Sequence, residues 1–196
     1  MTTTPLFPLN SVLFPGGMLQ LRIFEPRYLD MVSECMRSDS CFGVCLIRDG
    51  NEAGKAASCF DIGTLARIVD WEQGDDGLLG ITVKGESRFR ILERNVRKNQ
   101  LLEGNIEFID DDENELPVKF QLLSDLLRQI VEKFELSYKS EHEKFMEAGW
   151  VGCRLAELLP LELSDKQELL EIDNPLYRLE QLQLALEDIN QDQFNE

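Results

Sequence analysis

The hydrophobic period changes across the acidic run Asp110-Asp-Asp-Glu-Asn-Glu115, and no single kind of element satisfies both sides. Upstream, apolar and polar residues alternate, as half-buried strands require. Downstream, apolar residues recur every three or four positions, as amphipathic helices require. The 196-residue chain is therefore expected to be α+β, with a β-rich part over 1–112 and a helical part over 113–196. The acidic run reads as a solvated linker, since it has neither the central glycine nor the ligand alternation of an EF-hand.

The first half supplies several short strands. Leu19, Leu21 and Ile23 alternate with Gln20 and Arg22. Glu25-Pro26 ends that ladder, because proline lacks an N–H and its φ suits a first helical turn. An early helix follows, with Tyr28, Met31, Val32, Cys35 and Met36 at helical spacing. A strand is expected at Cys41–Ile47 and another at Phe60–Trp71, then the turn cluster Gln73–Gly77. Leu78–Val83 and Ser87–Arg97 read as two strands separated at Gly85. In the second, Phe89 and Ile91 share one face, with Arg88, Arg90 and Arg94 on the other. A last strand, Leu101–Ile109, sets Leu102, Ile106 and Phe108 against Glu103, Asn105 and Glu107. Polar, unpatterned Asp49–Ser58 is a loop. This count of strands around one helix predicts a small, partly closed β-barrel.

In the second half, Pro117 opens a helix whose broad stripe runs Leu122, Leu123, Leu126, Leu127, Ile130, Val131, Phe134. Further helices are expected near Ser140–Gly149 and at Val151–Leu159, stopping before Pro160. Ser164-Asp-Lys-Gln167 reads as a capping box. Asn174-Pro175 reads as a cap and first-turn proline opening a final helix. Its seam is Leu176, Leu179, Leu182, Leu186 and Ile189, and its polar tail from Asn190 is expected to fray.

The net charge of −17 is uneven: −3 over residues 1–109 and −14 over 110–196. Such a surface repels phosphate backbones and anionic membranes. No apolar run reaches the roughly 18–20 residues of a membrane span. The N-terminus has no secretory pattern, so a cytoplasmic protein is expected. Five cysteines (Cys35, Cys41, Cys45, Cys59, Cys153) form no Cys-x-x-Cys pair and read as reduced core residues. Cys41 and Cys45 on one strand lie about 13 Å apart and cannot share an ion without a bend. No metal or cofactor is expected. The single histidine, His142, lies between charged residues with no nucleophile motif beside it. Gly50-Asn-Glu-Ala-Gly-Lys-Ala56 is one residue short of a phosphate loop and lacks its Ser or Thr. Asp75 and Asp76 near Trp71 read as turn residues rather than a carboxylate pair. The basic stripe Arg88, Arg90, Arg94, Arg97, Lys98 reads as the solvent face of a strand, which also deters edge pairing.

Leu19-Gln-Leu-Arg-Ile-Phe-Glu-Pro-Arg-Tyr28, preceded by Pro5–Leu9 and Phe14-Pro-Gly-Gly17, resembles the opening of the Lon protease N-terminal, substrate-recognition domain. Ile62–Ile68 and Gly85–Ile91 resemble that family's central strands. Leu158-Leu-Pro-Leu161, Lys166–Leu170 and Arg178-Leu179 resemble its helical half. The resemblance runs from about Pro5 to Ile189. It implies a PUA-like β-domain followed by a helical bundle, together one Lon N-terminal domain. It also implies a non-catalytic module, because Lon proteases continue into ATPase and serine–lysine protease domains that this chain is not expected to carry. The expected partners are unfolded or tagged polypeptides, with a protease or chaperone as a further partner. The expected groove lies where the barrel meets the first helix and the helical half. Its candidate residues are Phe24, Tyr28 and Trp71, each equally readable as core. An RNA-binding PUA-like module and a small-ligand-binding protein are the alternatives.

Overall fold

The computed structural model describes residues 3–110 and 114–194. The chain divides into two compact units, Met1–Asp110 and Asp111–Glu196. The boundary expected between 112 and 113 lies outside the described residues.

The first unit runs β1 (Thr3–Leu9), β2 (Met18–Ile23), α1 (Pro26–Ser38), β3 (Phe42–Asp49), β4 (Ser58–Cys59), β5 (Ile62–Gln73), β6 (Leu79–Val96) and β7 (Leu102–Ile109). The strand order is β1-β7-β6-β5-β3-β4, and a parallel β1–β3 pairing brings the sheet round on itself. This is the partly closed ring with one early helix that the strand count predicts. β2 lies outside the ring order, pairing with the first part of β6.

Period-2 alternation divides the apolar residues of this unit into two clusters. Phe7, Val44 and Ala66 face one way, with α1 residues Met31, Val32 and Cys35 packed over them. Their sequence neighbours Leu6, Cys45 and Leu65 face the other way, with Phe89 and Ile91.

Three expectations are corrected here. Leu78–Val83 and Ser87–Arg97 are one 18-residue strand, β6. Gly85 does not break it but lets it pass another backbone closely: a Cβ there would lie 2.2 Å from the Phe14 carbonyl oxygen. The Gly85 N–H donates to Gly17 O, and Gly16 N–H donates to Gly85 O, both at 2.8 Å. Second, Arg88 is not on the solvent face; it and Phe89 are both fully buried. Register shifts beside it, between Thr64 and Ala66 and between Ile91 and Glu93, interrupt simple in–out alternation. Third, Phe108, next to last in β7, is 62% exposed.

The second unit contains α2 (Gln121–Lys133), α3 (Ala148–Leu158), α4 (Leu163–Glu171) and α5 (Pro175–Phe194). Pro117 precedes a short 3₁₀ turn, Val118–Phe120, and not α2 directly. The buried stripe of α2 is Leu123, Leu127 and Val131, with Ser124 beside it. Leu122 and Phe134 are exposed, because seven apolar residues over about three and a third turns span more arc than one face can bury. The helix expected at Ser140–Gly149 is instead two 3₁₀ turns, Ser137–Ser140 and His142–Met146. The extended backbone at Glu147 (φ −99°, ψ 117°) then starts α3 afresh.

The capping box does not form. Glu162 occupies the cap position of α4, so Ser164 lies inside the helix, and Gln167 is buried and donates to Glu171. The cap at Asn174 does form: its side-chain oxygen accepts from the Leu176 and Tyr177 N–H groups at 2.9 and 3.2 Å. In α5 the seam residues Leu179 and Leu182 are fully buried. The helix continues through the expected fraying point at Asn190 to Phe194; residues 195–196 lie outside the description.

Candidate functional site

The first turn of α1 is fixed by its neighbours. Pro26 starts it, and Arg27, 4% exposed, donates to Gln100 O at 2.9 Å, Glu25 at 3.0 Å and Glu52 O at 3.3 Å. Its guanidinium also lies over the Tyr28 ring, 4.6 Å from the centroid. This ties the β2–α1 corner to the 50–57 loop and the β6–β7 turn. Tyr28 stacks on Phe7 in the core. Burial pushes its hydroxyl up to about 12, so it stays neutral at any physiological pH.

Two cavities flank α1. One, of about 360 Å³, is lined by β2 residues together with Phe7, Phe24, Tyr28 and Glu52. Phe24 stands at its rim, 57% exposed, while Tyr28 forms part of its wall at 6%. The other, of about 370 Å³, is lined by Leu29, Val32, Ser33, Met36 and Arg37 of α1, with Trp71 of β5 and Leu79 of β6. Trp71 is 59% exposed there, and Leu29 and Met36 are also exposed. The structure thus brings Phe24 and Tyr28 to one cavity and places Trp71 at a second; both border the same helix.

The helical spacing Tyr28, Met31, Val32, Cys35, Met36 includes Met36 without separating it from the buried residues, and omits Leu29. The signal for both was their seven-residue spacing, which puts them on one flank of α1 beside the buried stripe. Together with Trp71 they form an exposed apolar surface on which Arg37 is the one charged side chain of the cavity lining. Such a surface offers contact area and no acid–base chemistry.

The other sequence candidates fall elsewhere. Burial and pairing engage three members of the basic stripe and leave Arg90 and Lys98 exposed. Arg88 is buried; Arg94 pairs with Asp61 and donates to Cys59 O; Arg97 pairs with Glu34 and Glu103. Asp76 accepts from the Leu78 N–H at 3.1 Å and pairs with Arg22, the turn role expected of it. His142 is exposed at the edge of a cavity shared with Arg128, Val131, Glu132, Lys139 and Phe145, none of them a hydroxyl or thiol for it to activate. Cys45 and Cys59 lie against each other; hydrogen bonding from Cys45 draws the Cys59 thiol below its ordinary value, against the effect of burial, with Arg94 assisting. Among the described residues no three or more His, Cys, Asp or Glu side chains are grouped to hold a metal ion. No helix of the described residues is long and apolar enough to cross a membrane.

Comparison with known proteins adds the following. The family described as the ATP-dependent protease La (LON) substrate-binding domain matches residues 3–188. The Lon protease of Anaeromyxobacter dehalogenans is 28% identical over 176 residues, covering 85% of this chain and 21% of that protein. Lon protease 2 of Myxococcus xanthus matches at the same identity and coverage. The chain thus spans about a fifth of the length of these curated relatives. Among solved structures, the Lon N-terminal domain protein from Xanthomonas campestris is 41% identical with a TM-score of 0.80, covering 94% of this chain and 98% of that one. The N-terminal domain of the Mycobacterium avium complex Lon protease shares the fold, with a TM-score of 0.66 at 14% identity, covering 92% of this chain and 96% of that one.

Proposed function

The chain belongs to the family of Lon substrate-binding domains, and from that premise we propose that it is a non-catalytic recognition module that holds unfolded or tagged polypeptide against the exposed flank of α1. The observation that carries this reading is the surface where Trp71 meets Leu29 and Met36 over a cavity of about 370 Å³. Folded clients bury their apolar side chains, whereas an unfolded segment presents them, and a preformed apolar surface gains most from the latter. Phe24, exposed at the rim of the other cavity beside α1, offers a further apolar contact. The module passes its client to a protease or chaperone in the cytosol, where its thiols stay reduced.

The RNA-binding alternative is weakened because three members of the basic stripe are withdrawn, Arg88 by burial and Arg94 and Arg97 by pairing with carboxylates, which leaves Arg90 and Lys98 exposed on an acidic protein. A polypeptide client held by apolar contact binds with weak salt dependence, whereas a nucleic acid held by phosphate contacts is released steeply as salt rises. Fluorescence anisotropy with an unfolded, apolar-rich peptide and a random single-stranded RNA, each over a salt series, tests the proposal. Peptide binding that persists at high salt and weakens on Trp71→Ala supports it. RNA binding without peptide binding overturns it.

A further inference from the structure

We propose that the groove between α4 and α5 docks a basic amphipathic helical segment of a partner protein. The two helices are joined by the three residues Ile172-Asp173-Asn174, and their facing sides enclose a cavity of about 530 Å³. From α4 it takes Asp165, Glu168 and Leu169, spaced as one helix face, and from the residue that follows α4 it takes Ile172. From α5 it takes Tyr177, Gln181, Leu184 and Asp188, again one face.

Leu169 is buried in the floor, while Leu184 and Tyr177 are 54% and 51% exposed. Ile172 lies in the connection and Tyr177 adjoins it. Asp165, near the start of α4, and Asp188, well along α5, lie at the far ends of the two helices. An apolar trough with carboxylates at one end and along one wall results.

Charge determines what fits it. Residues 162–189 contain eight acidic side chains and two basic ones. Both bases are already engaged. Arg178 is buried and donates to Leu169 O at 2.8 Å and Ile172 O, and Lys166 donates to Glu157 O at 2.9 Å. No ion pair among the described residues involves Asp165, Glu168 or Asp188. An occupant must therefore bring apolar side chains for the trough and positive charge for its rim. A helix with leucines at three- and four-residue spacing and Lys or Arg beside them supplies both. A second copy of this acidic face would meet like charge, and so would an acidic peptide.

The test uses the full chain and a labelled, helix-forming peptide of about 18 residues, a leucine stripe flanked by lysines, with a glutamate-flanked counterpart. The lysine peptide should bind and the glutamate peptide should not. Binding should weaken as salt rises, because the paired charges sit at an exposed rim. Leu184→Ala, and separately the triple change Asp165→Asn, Glu168→Gln, Asp188→Asn, should each weaken it about fivefold or more. All four residues are surface residues, so unchanged thermal unfolding should accompany the loss. Trp71→Ala should leave this binding intact, which separates it from the α1 surface. The proposal is overturned if both peptides bind alike or if neither variant changes affinity. It is equally overturned if Trp71→Ala alone abolishes binding, or if the protein is a dimer that Leu184→Asp converts to monomer.

Discussion

The Tyr28 ring lies on the Phe7 ring with centroids 4.0 Å apart and planes inclined by 24°. Phe7 in turn tilts against Phe42 at 6.0 Å. This joins α1 to β1 and β3 and makes Tyr28 a core residue whose edge reaches a cavity. Tyr28→Ala should cost about 3–5 kcal/mol, as truncation of a buried aromatic does. Phe24→Ala and Trp71→Ala should each cost about 0.5 kcal/mol or less, as exposed positions do. Denaturant unfolding of the three variants checks this order. Loss of binding in Tyr28→Ala would therefore report a damaged core, whereas Tyr28→Phe retains the stack.

Close backbone approach, more than turn geometry, requires glycine in this sheet. A Cβ at Gly63 would lie 2.3 Å from Val44 O and 2.9 Å from the Phe89 ring. The oxygen belongs to a paired strand and cannot swing away. Gly63→Ala should destabilise the first unit by about 1–3 kcal/mol. Chemical denaturation followed by Trp71 fluorescence checks it, with Trp150 replaced by phenylalanine so that the signal comes from one unit.

Arg67 donates to Glu86 and Asp39, and Cys41 donates to Glu86. The hydrogen bond from Arg67 holds the Glu86 carboxyl below its usual value, against some effect of burial. A carboxyl with a depressed folded-state value stabilises the fold above the ordinary glutamate range. That contribution is lost as pH falls through the folded value. Unfolding temperature should thus drop more for the wild type than for Glu86→Gln when pH is lowered from about 5.5 to about 3. Parallel curves would contradict the assignment.

The expected strands emerged wherever alternation was clean, as in Leu19–Ile23, because period two has no helical reading. What failed was punctuation and charge. Gly85 reads as an end in one dimension, whereas in three it allows β6 to pass Phe14 without a gap. Arg88 reads as solvent-facing because nothing local shows that both faces of β6 are covered there. Ser164-x-x-Gln167 has the composition of a capping box, yet the helix starts before it and α4 buries Gln167 instead. Of the candidate site, Trp71 and Phe24 could be named as aromatics near α1, but exposure depends on packing that sequence does not display. Leu29 and Met36 needed the helix phase to be known before their flank could be separated from the core stripe.

Arg178, 1% exposed, binds the carbonyl oxygens of Leu169 and Ile172 at the end of α4. These carbonyls have no following helical turn to accept from. Arg178→Met should cost about 1–3 kcal/mol for each carbonyl left without a donor. Hydrogen exchange should show the loss concentrated in the 169–176 segment, where the connection would loosen first.

The central claim is that the exposed flank of α1 binds unfolded polypeptide through Trp71, Leu29 and Met36. Its most direct test is the dissociation constant of an unfolded, apolar-rich peptide for wild type, Trp71→Ala and the double variant Leu29→Ser, Met36→Ser, at low and high salt. The account predicts a loss of about tenfold or more in each variant, unchanged thermal unfolding for Trp71→Ala, and little effect of salt on the wild type. Equal affinity in all three proteins would contradict it.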